Sequence, residues 1–472
     1  MPTHTHAIRR GSPARSQLAL STLTLLAFTV VGCGGGGGRF DTNNCRDFDS
    51  VNCVEIEGGD SAALQAAVNS LEDDTTLILG PGVFVLDNQV TIRNADGVSL
   101  VGQGIEETTL SFSTAAAQIN GVDVVGDDFL VQDLTVLDAP KDGIRVENSD
   151  GVTFRRIRAT WTEEGLSTNG AYGIYPVKSR NVLVEDSFAE NASDAGLYVG
   201  QCINVVVRRN TVRGNVAGLE IENTEYADVY ENHAEDNTGG IVVFDLPGNP
   251  IVGRDVRLHD NTIIRNNRRN FAPGGTVAQI PAGTGTFVMA SRRVEVVDNE
   301  YTDNKAFDIA IVSGLIIADD PAVWELETAS LVGDWDDLGL LAGATQGTIT
   351  NFRSENIVIS GNSHSQSMPT TNYGLSPDFA ALFTFLYGNM HSDNIIYDGI
   401  GESMFDAVVA ANNSNDNHIC AGGNTDGTFA NINALSQLSA PPTAPILQIA
   451  DAPFAPYDCT AVTGGALVLP EL

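Results

Sequence analysis

An all-β chain wound as a single-stranded right-handed parallel β-helix is the fold that three observations predict. The first is a repeat: "DGIRVEN" at 142–148, "YGIYPVK" at 172–178, "AGLYVGQ" at 195–201, "AGLEIEN" at 217–223 and "GGIVVFD" at 239–245. Gly173 is followed by Gly196, Gly218 and Gly240 at intervals of 23, 22 and 22 residues. The second is what fills each repeat. A β-branched run closed by polar residues comes next ("NVLVEDS" 181–187, "NVVVRRN" 204–210, "ADVYEN" 227–232), then a third piece such as "TVRGN" or "HAEDN". Three short strands per period, with rungs about 4.8 Å apart, describe a parallel solenoid. The third is composition: 48 glycines and 7% aromatic residues favour a turn-rich β protein.

Taken in chain order, Arg9, Arg10 and Arg15 precede the apolar run "LALSTLTLLAFTVVG", which ends at Cys33. A basic segment, a short apolar segment and small residues before a cysteine predict an export signal over 1–32. "VVGC" resembles a bacterial lipoprotein lipobox, which implies cleavage before Cys33 and its lipidation. A plain secretory signal is the alternative. Gly34 rather than Asp follows the cysteine, which by the family sorting rule implies the outer membrane if the cell has two. "GGGGG" at 34–38 then reads as part of a flexible tether over 33–44.

An N-terminal cap is expected over 45–75. Its segment 58–74 has helical spacing in Leu64, Ala67, Val68 and Leu71, with Asp60 or Ser61 as N-cap. The solenoid is expected over 76–419, with loop insertions at 158–171, 246–285 and 314–350, and a C-terminal cap over 420–472. In an oxidising compartment Cys45 pairs with Cys53 and Cys420 with Cys459, stapling the two ends. Cys202 is left inside a repeat as a small buried apolar residue. A capping helix followed by Gly-Pro-Gly-punctuated strands resembles the start of pectate-lyase-like (pectin-lyase-like) proteins.

Sixty acidic residues against 25 basic ones give a net charge of −35. Such a field repels nucleic acid, and it repels acidic polysaccharide unless local bases or cations offset it. Histidines are scattered and no CxxC occurs, so no metal site is expected. The GGxGxD repeat of calcium-binding solenoids is absent, but the pairs Asp73-Asp74, Asp127-Asp128 and Asp319-Asp320 keep Ca²⁺ possible.

Strand alternation sorts the side chains. Ile174, Leu197, Leu219 and Ile241 point inward, as do Val146, Pro176, Val199, Ile221 and Val243. One outward column reads Arg145, Tyr175, Tyr198, Glu220, Val242, and a second reads Glu147, Val177, Gly200, Glu222, Phe244. The closing turns carry Asn148, Lys178, Gln201, Asn223 and Asp245. Asn210 with Asn232, and Asn215 with Asn237, fall at matching turns and predict amide ladders. A glycine at each repeat start is expected to serve a turn with positive φ.

The outward columns suit a saccharide, because tyrosines stack on sugar rings and carboxylates bond hydroxyls. Arg145, Tyr175, Lys178, Tyr198, Gln201, Glu220, Glu222 and Asp245 are the candidate binding residues. Trp161, Glu164 and Phe271, on the insertions, are further candidates. Lys178 or Tyr175 could act as a base toward a uronate, with Arg145 on its carboxylate. Glu220 and Glu222 could form a hydrolase pair. A tyrosine- and acid-bearing surface that only keeps the sheet soluble remains the alternative.

"YGIYPVK" resembles the mannuronan C5-epimerase motif, a Tyr-Gly-aliphatic followed by Asp-Pro-His, through Tyr172, Gly173, Ile174 and Pro176. Tyr175 and Val177 stand where that family has its catalytic Asp and His, so its activity is not implied. Residues 55–315 are similar to a bacterial family of exported parallel β-helix repeat proteins, through "NGAYGIYPV" (169–177), "SDAGLYVGQ" (193–201), "NVAGLEIEN" (215–223), "NTGGIVVFDLP" (237–247) and "NFAPGG" (270–275). That resemblance implies an envelope lipoprotein or secreted protein, often encoded beside another exported protein, and no particular reaction. The expectation is a monomer, held to the membrane by its lipid alone, that binds polysaccharide or an exported partner protein. A polysaccharide lyase or glycoside hydrolase on the same face is the alternative.

Overall fold

The computed structural model describes residues 43–335, 347–365, 392–402, 414–432, 448–450, 455–461 and 466–472. Cys33, the signal segment and most of the tether lie outside these residues, as does part of the C-terminal cap.

Helix Ser61–Val68 is capped by Asp60, whose carboxylate accepts from Ala63 N at 2.9 Å. Leu64 and Val68 are its buried residues and close the first rung. The chain then winds as a parallel solenoid. Its front sheet has twelve strands, each neighbour pair parallel except the last, Gln448–Ala450. The other faces form a nineteen-stranded sheet, with Arg180–Glu185, Ile203–Arg208 and Glu225–Tyr230 stacked in register. Ile144, Ile174, Leu197, Leu219 and Ile241 superpose inside and are fully buried. Each such side chain contributes about 1.5–3 kcal/mol of burial.

Both amide ladders form, and both extend further than the repeat foretells. One runs Asn210, Asn232, Asn261, Asn299, Asn362, Asn424, with side-chain bonds of 2.9–3.0 Å. The other runs Asn215, Asn237, Asn266, Asn304. Each Oδ1 also accepts the backbone N–H of the residue one rung before, as Asn232 does for Asn210 at 3.0 Å. Cys202 is buried and unpaired as a thiol, with Sγ 3.3 Å from Gly200 O. Disulfides join Cys45 to Cys53 and Cys420 to Cys459.

The repeat glycines do a different job from the one expected. None of Gly143, Gly173, Gly196, Gly218 and Gly240 has positive φ. A Cβ on Gly173 would meet Gly196 O at 2.5 Å, and one on Gly240 would meet Gly285 O at 2.6 Å. Close rung-to-rung approach selects glycine here. Positive φ falls instead on the turn residues Asn148, Lys178, Gln201 and Asn223.

The insertions also differ from the expected ranges. Strand Asp150–Thr160 runs on to residue 160, leaving 161–171 as the loop. The interval 246–285 is no single loop, because strands Arg254–His259 and Thr262–Ile264 within it are ordinary rungs of the back sheet. Segments 245–253 and 265–283 are the loops. Beyond 313 come short 3-10 helices at Gly314–Ile316 and Pro321–Trp324, and an antiparallel pair, Glu325–Glu327 with Thr348–Thr350. This excursion is pinned to the back sheet where both Glu225 oxygens accept from Asp334 N at 2.9 and 3.0 Å.

Candidate functional site

Register puts the outward column in one line: Asp123, Arg145, Tyr175, then Tyr198, Glu220, Val242, Phe287, Ala310, Ile396 and Ala430. The first part is open and the last part is not. Val242, Phe244, Phe287, Met289, Ala310 and Val312 are buried in a second apolar cluster outside the solenoid. Val277 and Ile280 of loop 265–283 and Trp324 belong to it as well, and Phe271 packs on it half-buried. The insertions therefore roof the far half of the front sheet rather than merely walling it.

Four candidates expected on the surface are consequently buried: Tyr198, Gln201, Glu220 and Glu222. Gln201 Nε2 donates to Glu222 Oε1 at 3.1 Å, and Asn249 Nδ2 donates to the same oxygen at 3.0 Å. Asp245 is fully buried and is not a groove residue. It accepts from Gly253 N at 2.7 Å and Asn351 Nδ2 at 2.6 Å, and burial raises its carboxyl to about 7. Trp161 is buried too, its Nε1 donating to Ala139 O at 2.7 Å, which makes it a loop anchor. Glu164 stays exposed beside Arg268.

At the edge of the roof three tyrosines touch. Ring centroids are 4.6 Å apart for Tyr172 and Tyr175, 4.7 Å for Tyr172 and Tyr198, and 4.9 Å for Tyr175 and Tyr198. Tyr172 and Tyr175 are half-buried and keep part of their surface exposed. Asp142 and Asp194 border them, from the starts of the strands Ile144–Glu147 and Ala195–Gly200. Burial raises Asp142 to about 6, against the pull of Lys141 and Arg145. Burial raises Asp194 to about 7, opposed by a hydrogen bond from Tyr172 and assisted by Glu222 and Asp142. Glu220 is pushed well above the usual carboxylate range by burial, then by Asp194 and Glu222. Glu222 is raised by burial, partly offset by Tyr198, Asn249 and Gln201. Burial also lifts the Tyr175 phenol to about 12.

On the open side Arg145 bridges Asp123, at 3.3 Å, and Glu147. Lys178 Nζ lies 3.4 Å from Glu147 Oε1, exposed on its turn. The structure thus brings Arg145, Tyr175, Tyr198, Glu220 and Glu222 to one neighbourhood and leaves Lys178 at its margin. Reading the repeats alone missed Asp142, Asp194 and Tyr172. The available signal was an aspartate just ahead of the strand in "KDG" (141–143) and "SDAG" (193–196), with Tyr172 opening the rung between them.

Among the described residues no group of three His, Cys, Asp or Glu side chains is arranged to hold a metal ion. The paired aspartates serve turns. Asp73 Oδ1 accepts from Asp96 N at 3.0 Å, Asp127 Oδ1 from Asp150 N at 2.9 Å, and Asp320 caps a 3-10 helix.

Residues 115–252 and 143–318 match the family model described as the right handed beta helix region. The solenoid is a right-handed parallel β-helix. No curated protein is similar in sequence. Solved structures similar to this β-helix include the A-module of mannuronan C-5 epimerase AlgE4 of Azotobacter vinelandii, at 18% identity and TM-score 0.43, over 75% of this chain and 93% of that one. An alginate lyase from Paenibacillus sp. is 14% identical, with TM-score 0.38, over 55% and 92%. The catalytic unit of an α-1,3-glucanase from Streptomyces thermodiastaticus is 12% identical, with TM-score 0.38, over 73% and 47%.

Proposed function

We propose that this β-helix is an enzyme that cleaves glycosidic bonds in a polysaccharide laid along its front sheet, across Arg145, Tyr175 and Asp194. The observation that carries this reading is the set of carboxyls raised by burial, Asp142, Asp194, Glu220 and Glu222, packed against three touching tyrosines at the edge of the roof. Shifted carboxyls gathered in a groove are the usual mark of acid–base chemistry. Asp194, half-buried and with a carboxyl near 7, keeps a proton to give to the leaving oxygen at neutral pH. Asp142, ionised above about 6 but buried, lends its negative charge from behind the surface to the cation that develops on the ring, and water adding to that carbon, its proton passing to solvent, completes the hydrolysis. Tyr172 and Tyr175 hold the sugar by stacking, and Arg145 faces an acidic substituent.

A second reading, binding without turnover, is favoured by one fact: Glu220 and Glu222, the pair best spaced on one strand, have almost no surface for a substrate. Under either reading the protein works outside the cytoplasm, anchored through Cys33, where its two disulfides are stable.

Protein spanning 34–472 is incubated with uronate-containing and neutral polysaccharides, with and without calcium, and new chain ends and co-sedimentation are followed. Turnover that falls roughly 10²-fold or more in Asp194→Asn supports the enzyme. Turnover unchanged in that variant assigns the chemistry elsewhere. Retention without new ends, lost in Tyr175→Ala, makes this a binding protein.

A further inference from the structure

The roof is not fully packed. Between loop 265–283 and the Gly314–Ile316 turn it leaves a cavity of 30 Å³, bordered on the sheet by Glu220, Val242, Phe244 and Phe287. Water needs roughly 10–15 Å³, so the space matches a group of two or three heavy atoms. Its walls are almost wholly aliphatic and aromatic, and Glu220 is the one ionisable residue among them. That glutamate is 2% exposed, and its Oε1 has no hydrogen-bond partner among the described residues. A buried polar atom without a partner costs about 1–3 kcal/mol, a cost that a ligand can remove.

We propose that this cavity is a subsite for an acetyl substituent, its methyl on Val242, Phe244 and Phe287 and its carbonyl oxygen bonded by the Glu220 carboxyl. Three features select this chemistry. The walls take a methyl group and offer a bare cation no ring of oxygens. Burial beside Asp194 and Glu222 raises the Glu220 carboxyl, which favours its protonated, donating form. Glu220 also stands in the same column as Tyr175 and Tyr198, one rung beyond the latter. A pyranose chain along the solenoid advances by about one rung per sugar, each rung being about 4.8 Å. A sugar stacked on the tyrosines thus places its neighbour's substituent at the cavity. This rests on the glycan-acting reading and narrows it to acetylated polymers.

The test separates the two. Saturation-transfer NMR of methyl acetate with the intact protein reads the cavity without any polysaccharide. Transfer to the acetyl methyl is expected, and it is expected to be lost in Glu220→Leu, which removes the donor at similar volume. It is also expected to be lost in Ile316→Trp, which plugs the mouth from a position 37% exposed and so tolerant of bulk. No transfer to the wild type, or equal transfer to all three proteins, overturns the subsite. Matched acetylated and alkali-deacetylated samples of any polymer turned over supply the second arm. The acetylated form should be preferred several-fold by the wild type and no longer preferred by Ile316→Trp. Transfer that behaves as expected, with no polymer turned over, keeps the cavity's specificity and removes the enzyme instead.

Discussion

The two halves of the front sheet share one backbone and differ in what stands on it. From Asp123 to Tyr175 the outward column is polar or half-exposed, and from Val242 to Ala430 it is apolar and buried. Identical rungs therefore serve one half as an open face and the other as the floor of a second core. The difference comes from the loops that interrupt the period after residues 244, 264 and 312. Glu220 and Glu222 stand at the seam, acids in a column that turns apolar one rung later. Their raised carboxyls follow from the roof, since the same side chains on the open half would keep contact with water.

The contrast breaks most sharply by truncating one aromatic in each half. Phe244→Ala, beneath the roof, should cost about 3–5 kcal/mol. Tyr175→Ala, half-exposed on the open side, should cost about 1 kcal/mol, the ordinary effect of a single substitution. Urea midpoints of the two variants measure this directly. Equal costs would mean that the roof adds little to the fold.

A smaller effect is expected with pH. Asp142 at about 6, and Asp194, Asp245 and the buried Asp398, which accepts from Ser313 N at 2.6 Å, at about 7, all lie above their unfolded value of 3.8. The folded state binds more protons than the unfolded one between these limits. The stability these groups supply is complete below about pH 4 and is lost as pH rises through 6 to 7. Glu185 acts in the opposite sense. Arg155 and Arg208 hold it at about 2, so its contribution is present above about 4.5 and lost on strong acidification. The melting temperature should therefore be higher at pH 5 than at pH 8. Glu220→Leu, which removes a seam acid, should flatten that slope, and thermal melts across pH 4–9 measure both.

How much of this was legible follows the same division. Period, inward and outward sorting and amide ladders could be read because every rung repeats the same local physics. The alternation of Ile174 and Tyr175 says which face each takes whatever surrounds it. The roof could not be read from local pattern, because loops 245–253 and 265–283 pack by contacts distant in sequence. A trace of it existed: the column turns to Val242, then Phe287 and Ala310, and a solvated sheet has no reason to show such a run. Asp142 and Asp194 are invisible to that pattern because they precede the strands in which side chains alternate. The repeat glycines were misread because small size and positive φ both select glycine, and only the Cβ-to-carbonyl distance tells them apart.

Lys178 gives the finest test of where the open face ends. It occupies a turn at φ 51°, and its amide donates to Gly200 O at 2.9 Å, so its backbone belongs to the ladder whatever its side chain does. A non-glycine residue in that region carries a cost of about 1 kcal/mol, and the exposed pair with Glu147 contributes about 0–1 kcal/mol. Lys178→Ala should therefore lose the ion pair and keep the strain. Lys178→Gly loses the same pair but relieves the strain, and should be about 1 kcal/mol more stable than the alanine variant. If both variants also retain polysaccharide turnover or binding, Lys178 is a corner of the rung. Loss of function in both, with the glycine variant still the more stable, would extend the site past Tyr175 to the turn.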